Sequence, residues 1–289
     1  MALDSAFESD LDSRAPFAFR PLAASAREVL SAPLSPELPA NSAKALRSVV
    51  LAARRFVRVA GAERLAAIPE PAIFALNHTN AFEAVVAPAS LIWLRGGRPL
   101  AMLADWMYLE LPLLGAILKW GEPIPVFRKR ARWGWREERR QRGLGSSAVE
   151  RCLATLASGR SVGLFPEGTR NREVGRLLPA RSGLGEIAAA SGVPIVPVGI
   201  TYPAAARLGR VPRLGRLDLT IGAPLVVTDL EADLLSIHPV EATVARRLSD
   251  RTMAALADLA GCAPTLEGPA ANRVSPRFQS LQTPGRSVV

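Results

Sequence analysis

His78 and Glu83 are the two residues of this sequence best suited to moving a proton between heteroatoms. They stand in AIFALNHTNAFEAVV, where an apolar run reads as a buried strand and the residues after it as a helix. On a continuous helix five residues subtend ~140°, so the two side chains would not share a face. With His78 in a loop and Glu83 in the first helical turn, the carboxylate can fold back onto the imidazole. A carboxylate bonded to one ring nitrogen fixes the tautomer and leaves the other nitrogen as a proton acceptor. That would make a general base for an alcohol nucleophile. Taken alone, the spacing suits a structural loop histidine as well.

A further group, Phe165-Pro166-Glu167-Gly168-Thr169-Arg170, follows the apolar strand SVGLF. A strand ending in Pro and Gly must turn, and Arg170 then projects from its carboxyl edge, where open α/β sheets bind ligands. Arg170 could grip a phosphate in bidentate fashion, with loop amides and Thr169 as further donors. Read alone, this is equally a solvated turn. Two other patterns imitate sites. Gly159 to Gly163 spells GxSxG, but a helix precedes it and Ser161 enters a strand instead of crowning one. Gly183 to Ala188 imitates a dinucleotide fingerprint without a strand before it. His238 has no other motif near it.

The elements that must position these groups alternate. Strands are expected near 71–76, 98–103, 123–127, 161–165, 194–200 and 217–221, and helices over 82–95, 106–119, 146–158, 183–191 and 241–260. Such alternation predicts an α/β fold, a single domain whose mixed, largely parallel sheet is flanked by helices. Ahead of it, Leu46, Val49, Val50, Ala53, Phe56 and Val57 keep helical spacing with Lys44, Arg47, Arg54, Arg55 and Arg58 opposite. Asn41 or Ser42 can cap this basic amphipathic helix. It suits a core-packing helix with a solvated face or one lying on an anionic membrane. The expected partition is an irregular or disordered arm over 1–40, one domain over 41–262 and a disordered tail over 263–289.

Composition narrows the function. The chain of 289 residues carries 36 basic and 26 acidic side chains, a formal charge of +10, so its surface attracts phosphates. The charge is concentrated in 128–142, with eight bases and two acids, where Trp133 and Trp135 are interleaved. That run suits a solvated loop or an anionic bilayer interface. Nucleic acid is not expected, because no nucleic-acid motif accompanies it. Two cysteines and two histidines leave neither a disulfide framework nor a zinc site to be expected. The longest uncharged stretch, 187–206, contains three prolines and two glycines and predicts a helix end, a turn and a buried strand instead of a membrane span. No signal peptide is expected from MALDSAFESD. A peripheral protein follows, cytoplasmic and on the inner face of the membrane.

Together these segments resemble the glycerophospholipid acyltransferase family typified by 1-acylglycerol-3-phosphate acyltransferase. The family's first block is His, four residues and an acid, here His78 to Glu83. Its third, FPEGTR, stands unchanged at 165–170. Ile124-Pro125-Val126-Phe127-Arg128 is similar to block two, and Val193 to Gly199, around Pro194 and Pro197, is similar to block four. The four blocks, in order, span a core of about 70–225. The resemblance implies that His78 is the base and Glu83 its orienting partner. It also implies that Arg128, Glu167, Gly168, Thr169 and Arg170 bind the acceptor's glycerol and phosphate, with Pro197 on the acyl-donor side. Most members carry Asp where this chain has Glu83, one methylene longer.

The implied reaction moves a fatty acyl group from acyl-CoA or acyl-carrier protein to the free hydroxyl of a lysophospholipid, in phospholipid biosynthesis, at an anionic membrane surface. No metal or organic cofactor is implied, only the thioester co-substrate. Within the fold, the alternatives are another acceptor (a lyso-aminolipid or dihydroxyacetone phosphate) or transacylation between lipids. A non-catalytic membrane-binding module is the alternative of another class.

Overall fold

The computed structural model describes residues 20–110, 121–127, 145–173, 175–202, 207–208, 211–212, 216–226 and 241–263. Its strands are β1 (Arg20–Pro21), β2 (Val57–Ala60), β3 (Ile73–Leu76), β4 (Leu100–Asp105), β5 (Ile124–Val126), β6 (Ser161–Leu164), β7 (Ile195–Thr201), β8 (Arg207–Leu208), β9 (Val211–Pro212) and β10 (Leu217–Ile221). Its helices are α1 (Ala26–Ser31), α2 (Ala40–Ala53), α3 (Glu83–Leu94), α4 (Trp106–Leu109), α5 (Ala148–Ala157), α6 (Gly183–Ser191) and α7 (Glu241–Ala260).

Eight strands form one sheet in the order β1-β2-β10-β7-β3-β6-β4-β5. The run from β7 to β5 is parallel throughout, β10 is antiparallel to β7, and β2 is parallel to β10. The predicted α/β class with a mixed, largely parallel sheet is therefore the one observed. β3 lies between β7 and β6, so the loop carrying His78 is flanked by the ends of both neighbours.

Strand pleating explains the layers. Along β3, Phe74 and Leu76 join an apolar cluster with α1, α2 and α3, whereas Ile73 and Ala75 face another cluster with α5, α6 and α7. All four are buried, as expected of a strand covered on both sides. Gly163 serves the same packing: a Cβ there would lie 2.2 Å from Met102 Sδ, so a larger residue would require the Met102 side chain to move.

Three expectations need correcting. Residues 20–40 belong to the folded domain: Ser25 and Glu28 form a capping box that starts α1, and Leu22, Ala23, Val29 and Leu38 are buried. The basic helix begins at Ala40 after Pro39, with no side-chain cap, and Ser42 is buried instead of capping it. It also ends at Ala53, because the β-branched residues Val57 and Val59 pair along β10 instead of continuing the helix. Of the helix expected over 106–119, α4 is described, and 111–120 lie outside the described residues, as do 1–19, 264–289, the basic run 128–142 and His238. No helix among the described residues is long and apolar enough to cross a membrane. Ser161 is fully buried, its hydroxyl accepting from the Ala72 amide and Arg95, which accounts for the GxSxG imitation as a structural serine.

Candidate active site

β3 ends at Leu76, and the next residue is a latch. The Asn77 side chain donates to the Ile200 carbonyl at 3.0 Å and accepts from the Ile200 amide at 2.6 Å, tying the loop to β7. His78 follows at the sheet's carboxyl edge. Its Nδ1 lies 3.1 Å from Glu83 Oε2, so with Glu83 ionised Nδ1 carries the proton and donates. Nε2 makes no hydrogen bond among the described residues. The Phe165 ring stacks on the imidazole, with centroids 4.2 Å apart and planes at 25°.

Glu83 is fully buried at the first position of α3. Three donors hold it there: the Thr79 amide at 2.8 Å, the Thr79 hydroxyl at 2.6 Å and the imidazole. Phe82, at the helix N-cap, has no side chain able to cap, and the positive end of the helix dipole favours a carboxylate at this place. The loop-then-first-turn geometry required by the five-residue spacing is therefore present.

The FPEGTR turn comes from β6, next to β3. Gly168 adopts φ +64° and its amide donates to the Phe165 carbonyl at 2.9 Å, a tight turn that disfavours any other residue. Gly168, Thr169 and Arg170 are exposed, and Arg170 makes no ion pair among the described residues. The turn is fastened to the histidine loop by the Asn171 amide, which donates to the His78 carbonyl at 2.7 Å. Asn171 in turn donates to the Arg176 carbonyl at 2.6 Å and accepts from the Glu173 amide at 2.8 Å.

Glu167 has a different place from the one its resemblance implies. It is 1% exposed, and its two oxygens accept from the His78 amide at 3.0 Å and the Leu178 amide at 2.9 Å. Burial raises its pKa, against the lowering effect of those amides and of His78. Its carboxylate thus supports the backbone under the imidazole instead of facing the cleft. Pro197 is not part of the cluster either. It is buried within β7, against Gly222, whose amide donates to its carbonyl. Arg128 lies just outside the described residues. Its neighbour Phe127 stacks on Trp106 at 6.0 Å and under the Arg151 guanidinium at 5.1 Å.

Sequence reasoning thus brought His78, Glu83, Gly168, Thr169 and Arg170 to one place. It missed Asn77, Thr79, Phe165 and Asn171. Thr79 alone left a signal, a hydroxyl one residue after the histidine and one helical turn before the carboxylate.

A histidine and a carboxylate held in this way, with an exposed arginine that has no ion pair among the described residues on the adjoining turn at the carboxyl edge of an α/β sheet, form a site suited to activating a hydroxyl near an anionic group. A model of the family described as Acyltransferase matches residues 56–201, just over half of the chain, and the chain belongs to that family. Two relatives point more narrowly. The 1-acyl-sn-glycerol-3-phosphate acyltransferase BAT2, chloroplastic, of Brassica napus is 29% identical over 140 residues, 48% of this chain and 36% of that protein. The corresponding enzyme LPAT1, chloroplastic, of Arabidopsis thaliana is 28% identical over 142 residues, 49% of this chain and 35% of its own length. The matched region thus spans about a third of each relative. Among solved structures, the 1-acyl-sn-glycerophosphate acyltransferase PlsC of Thermotoga maritima matches with a TM-score of 0.44 and 20% identity, over 71% of this chain and 77% of that one.

Proposed function

We propose that this domain transfers a fatty acyl group from a thioester, acyl-CoA or acyl-carrier protein, to the free hydroxyl of a lysophospholipid, with 1-acylglycerol-3-phosphate as the acceptor. The observation that carries the reading is the His78–Glu83 pair: Nδ1 is committed to a buried carboxylate, Nε2 makes no hydrogen bond among the described residues, and the exposed Arg170 precedes Asn171, whose amide is fastened to the His78 carbonyl. In the proposed reaction Nε2 takes the acceptor's hydroxyl proton as its oxygen attacks the thioester carbonyl. Collapse of the tetrahedral intermediate breaks the C–S bond, and the proton passes from His78 to the departing thiolate. No acyl-enzyme is required, because both substrates can be held together. Arg170 offers a cation for the acceptor's phosphate, and the resemblance adds Arg128 to it.

An apolar groove supports a lipid substrate. It lies between α2 and α3, is lined by Leu46, Val49, Val85, Pro88, Ile92 and Met102 among others, and is open to solvent at its mouth. Ala84 and Val85, directly after Glu83, form part of its wall. An acyl chain laid there would run away from the base along the first helix the base depends on. Access to lipid is proposed at an anionic, cytoplasmic membrane face, for which the net charge of +10 is the support.

The test is acyl transfer from labelled acyl-CoA, and separately from acyl-carrier protein, to 1-acylglycerol-3-phosphate in anionic liposomes, with wild type beside His78→Ala. Product from wild type alone is expected. Equal product from both would exclude His78 as the base. No product from either, with liposome binding intact in both, would favour the non-catalytic membrane module.

A further inference from the structure

Tyr202 is the first residue past β7, the strand beside β3, and its ring packs against the same apolar layer as Phe82 and Phe165. Its hydroxyl is closed off from solvent and yet makes no hydrogen bond of normal geometry among the described residues. A buried, unpaired O–H in a native core calls for an explanation. The group it faces is Glu83: burial first, then the charge of that carboxylate and its approach to the phenol, keep Tyr202 protonated well above the usual tyrosine range.

The carboxylate has room for it. An ionised carboxylate offers about four acceptor sites. On Oε2 the Thr79 amide and His78 Nδ1 take two, and on Oε1 the Thr79 hydroxyl takes one. One site on Oε1 remains, and a protonated phenol can only donate to it. Glu83 also has one more torsion to fix than an aspartate, and every donor it now holds comes from its own loop. An anchor from β7 would fix it from outside that loop.

Resting on the assignment of His78 as the base, we propose that Tyr202 is a positioning residue: its O–H is directed at the open site of Glu83 Oε1, supports that carboxylate already in the empty site, and tightens onto it when the base engages an acceptor hydroxyl, holding the carboxylate against the imidazole. Hydrogen bonds of a catalytic pair are often long in the empty enzyme and tighten with substrate bound. The titratable groups around the pair are Glu167 after β6, with Cys262 after α7 facing it in turn, and Tyr202 after β7. Removing the phenol takes a donor from the carboxylate, which leaves it a stronger base toward the imidazolium. The protonated form of the pair is then favoured, and its apparent midpoint moves up.

With only two histidines in the chain, the His78 ring signal can be followed by NMR against pH in the whole protein and assigned with His78→Ala. Tyr202→Phe, which keeps the ring, is expected to raise the His78 midpoint by about half a pH unit. In a Glu83→Gln background the same change should shift nothing. Only one other tyrosine exists, Tyr108, so 3-fluorotyrosine can be placed at 202 alone in a Tyr108→Phe background. This stronger donor is expected to move the midpoint down. A wild-type midpoint in Tyr202→Phe, or a shift that survives Glu83→Gln, would overturn the proposal. The titration uses no substrate. An unshifted midpoint in an active enzyme therefore sinks the tyrosine's role alone, and a shifted midpoint in a protein without acyl transfer keeps that role and sinks the reaction.

Discussion

At the amino-terminal ends of the parallel strands, the Arg95 guanidinium is buried with all five of its N–H directions met. Nε and Nη2 reach the two oxygens of Glu70, Nη1 reaches the Arg98 and Pro99 carbonyls, Nη2 also reaches Ser161, and the Phe74 ring lies 4.9 Å away. At the carboxyl ends of the same strands, His78 has one nitrogen open, Arg170 has no ion pair among the described residues, and Tyr202 has an unused hydroxyl. Both edges put charge or polarity where burial makes it costly. At the amino-terminal edge the Arg95 guanidinium has every N–H met and so contributes to holding β3, β4 and β6 together. The carboxyl edge leaves donors and an acceptor unfilled on a fastened backbone, as a site that must accept substrate requires. Unfilled valence, not the presence of ionisable residues, separates the two edges.

The largest test of that contrast is at the open edge. His78→Ala should lower kcat by about 10³-fold, the range for loss of a general base, while thermal unfolding stays within a few degrees of wild type. Large destabilisation instead would place His78 with Arg95 as a structural group. At the closed edge the outcomes should reverse. Arg95→Ala leaves Glu70 with Arg98 alone and Ser161 with one donor fewer, so urea unfolding should show a loss of about 1–3 kcal/mol. Turnover per folded molecule should remain near wild type. A rate defect in the folded fraction would mean that the two edges are coupled through β3 and β6.

How much of this was legible in the sequence divides along a related line. Residues that act through their own segment could be read. Glu83 returns to His78 within one loop and one helical turn, and Gly168 turns its own chain, so spacing and residue type sufficed. Residues that act across strands could not. Asn77 is one more polar residue after a strand until β7 arrives to accept it, and Tyr202 needs β7 and α3 in place together. Glu167 is the instructive failure, since its motif suggested a ligand contact and only the fold reveals two backbone amides as its partners. At the chain's start, a helix of six residues is too short to show periodicity, and an Ala-, Ser- and Pro-rich composition hid its capping box. Phe56 and Val57 fit a helical period by accident of spacing, but Phe56 falls in the turn after the helix and Val57 was claimed by the sheet.

Arg170 sharpens the comparison at intermediate size. As an exposed guanidinium with no competing partner among the described residues, it can be removed without disturbing the core. Arg170→Ala should raise KM for 1-acylglycerol-3-phosphate by about 10- to 100-fold with a smaller change in kcat, in line with loss of one charge-assisted phosphate contact. An acceptor lacking the phosphate should lose that sensitivity. A fall in kcat with unchanged KM would instead move Arg170 into the chemistry.

The smallest expected effect concerns Glu167, which behaves like the closed edge although it lies within the open one. Its folded-state pKa is raised, with burial the largest cause. Between the ordinary carboxylate value and the raised one, the folded chain therefore keeps a proton that the unfolded chain has released. Stability then falls as pH rises through that window, by at most about 1.4 kcal/mol for each unit between the two values. Glu167→Gln carries no such proton and has no such slope. It does carry an amide NH₂, which faces either the His78 or the Leu178 N–H, so it should be less stable than wild type below the window. Urea unfolding of both proteins from about pH 4 to 8 checks the sign: the wild type's advantage should shrink as pH rises. An advantage that grows with pH would mean that the two amides outweigh burial and that Glu167 is a stabilised anion. In that case the support beneath His78 would strengthen, not weaken, toward neutral pH.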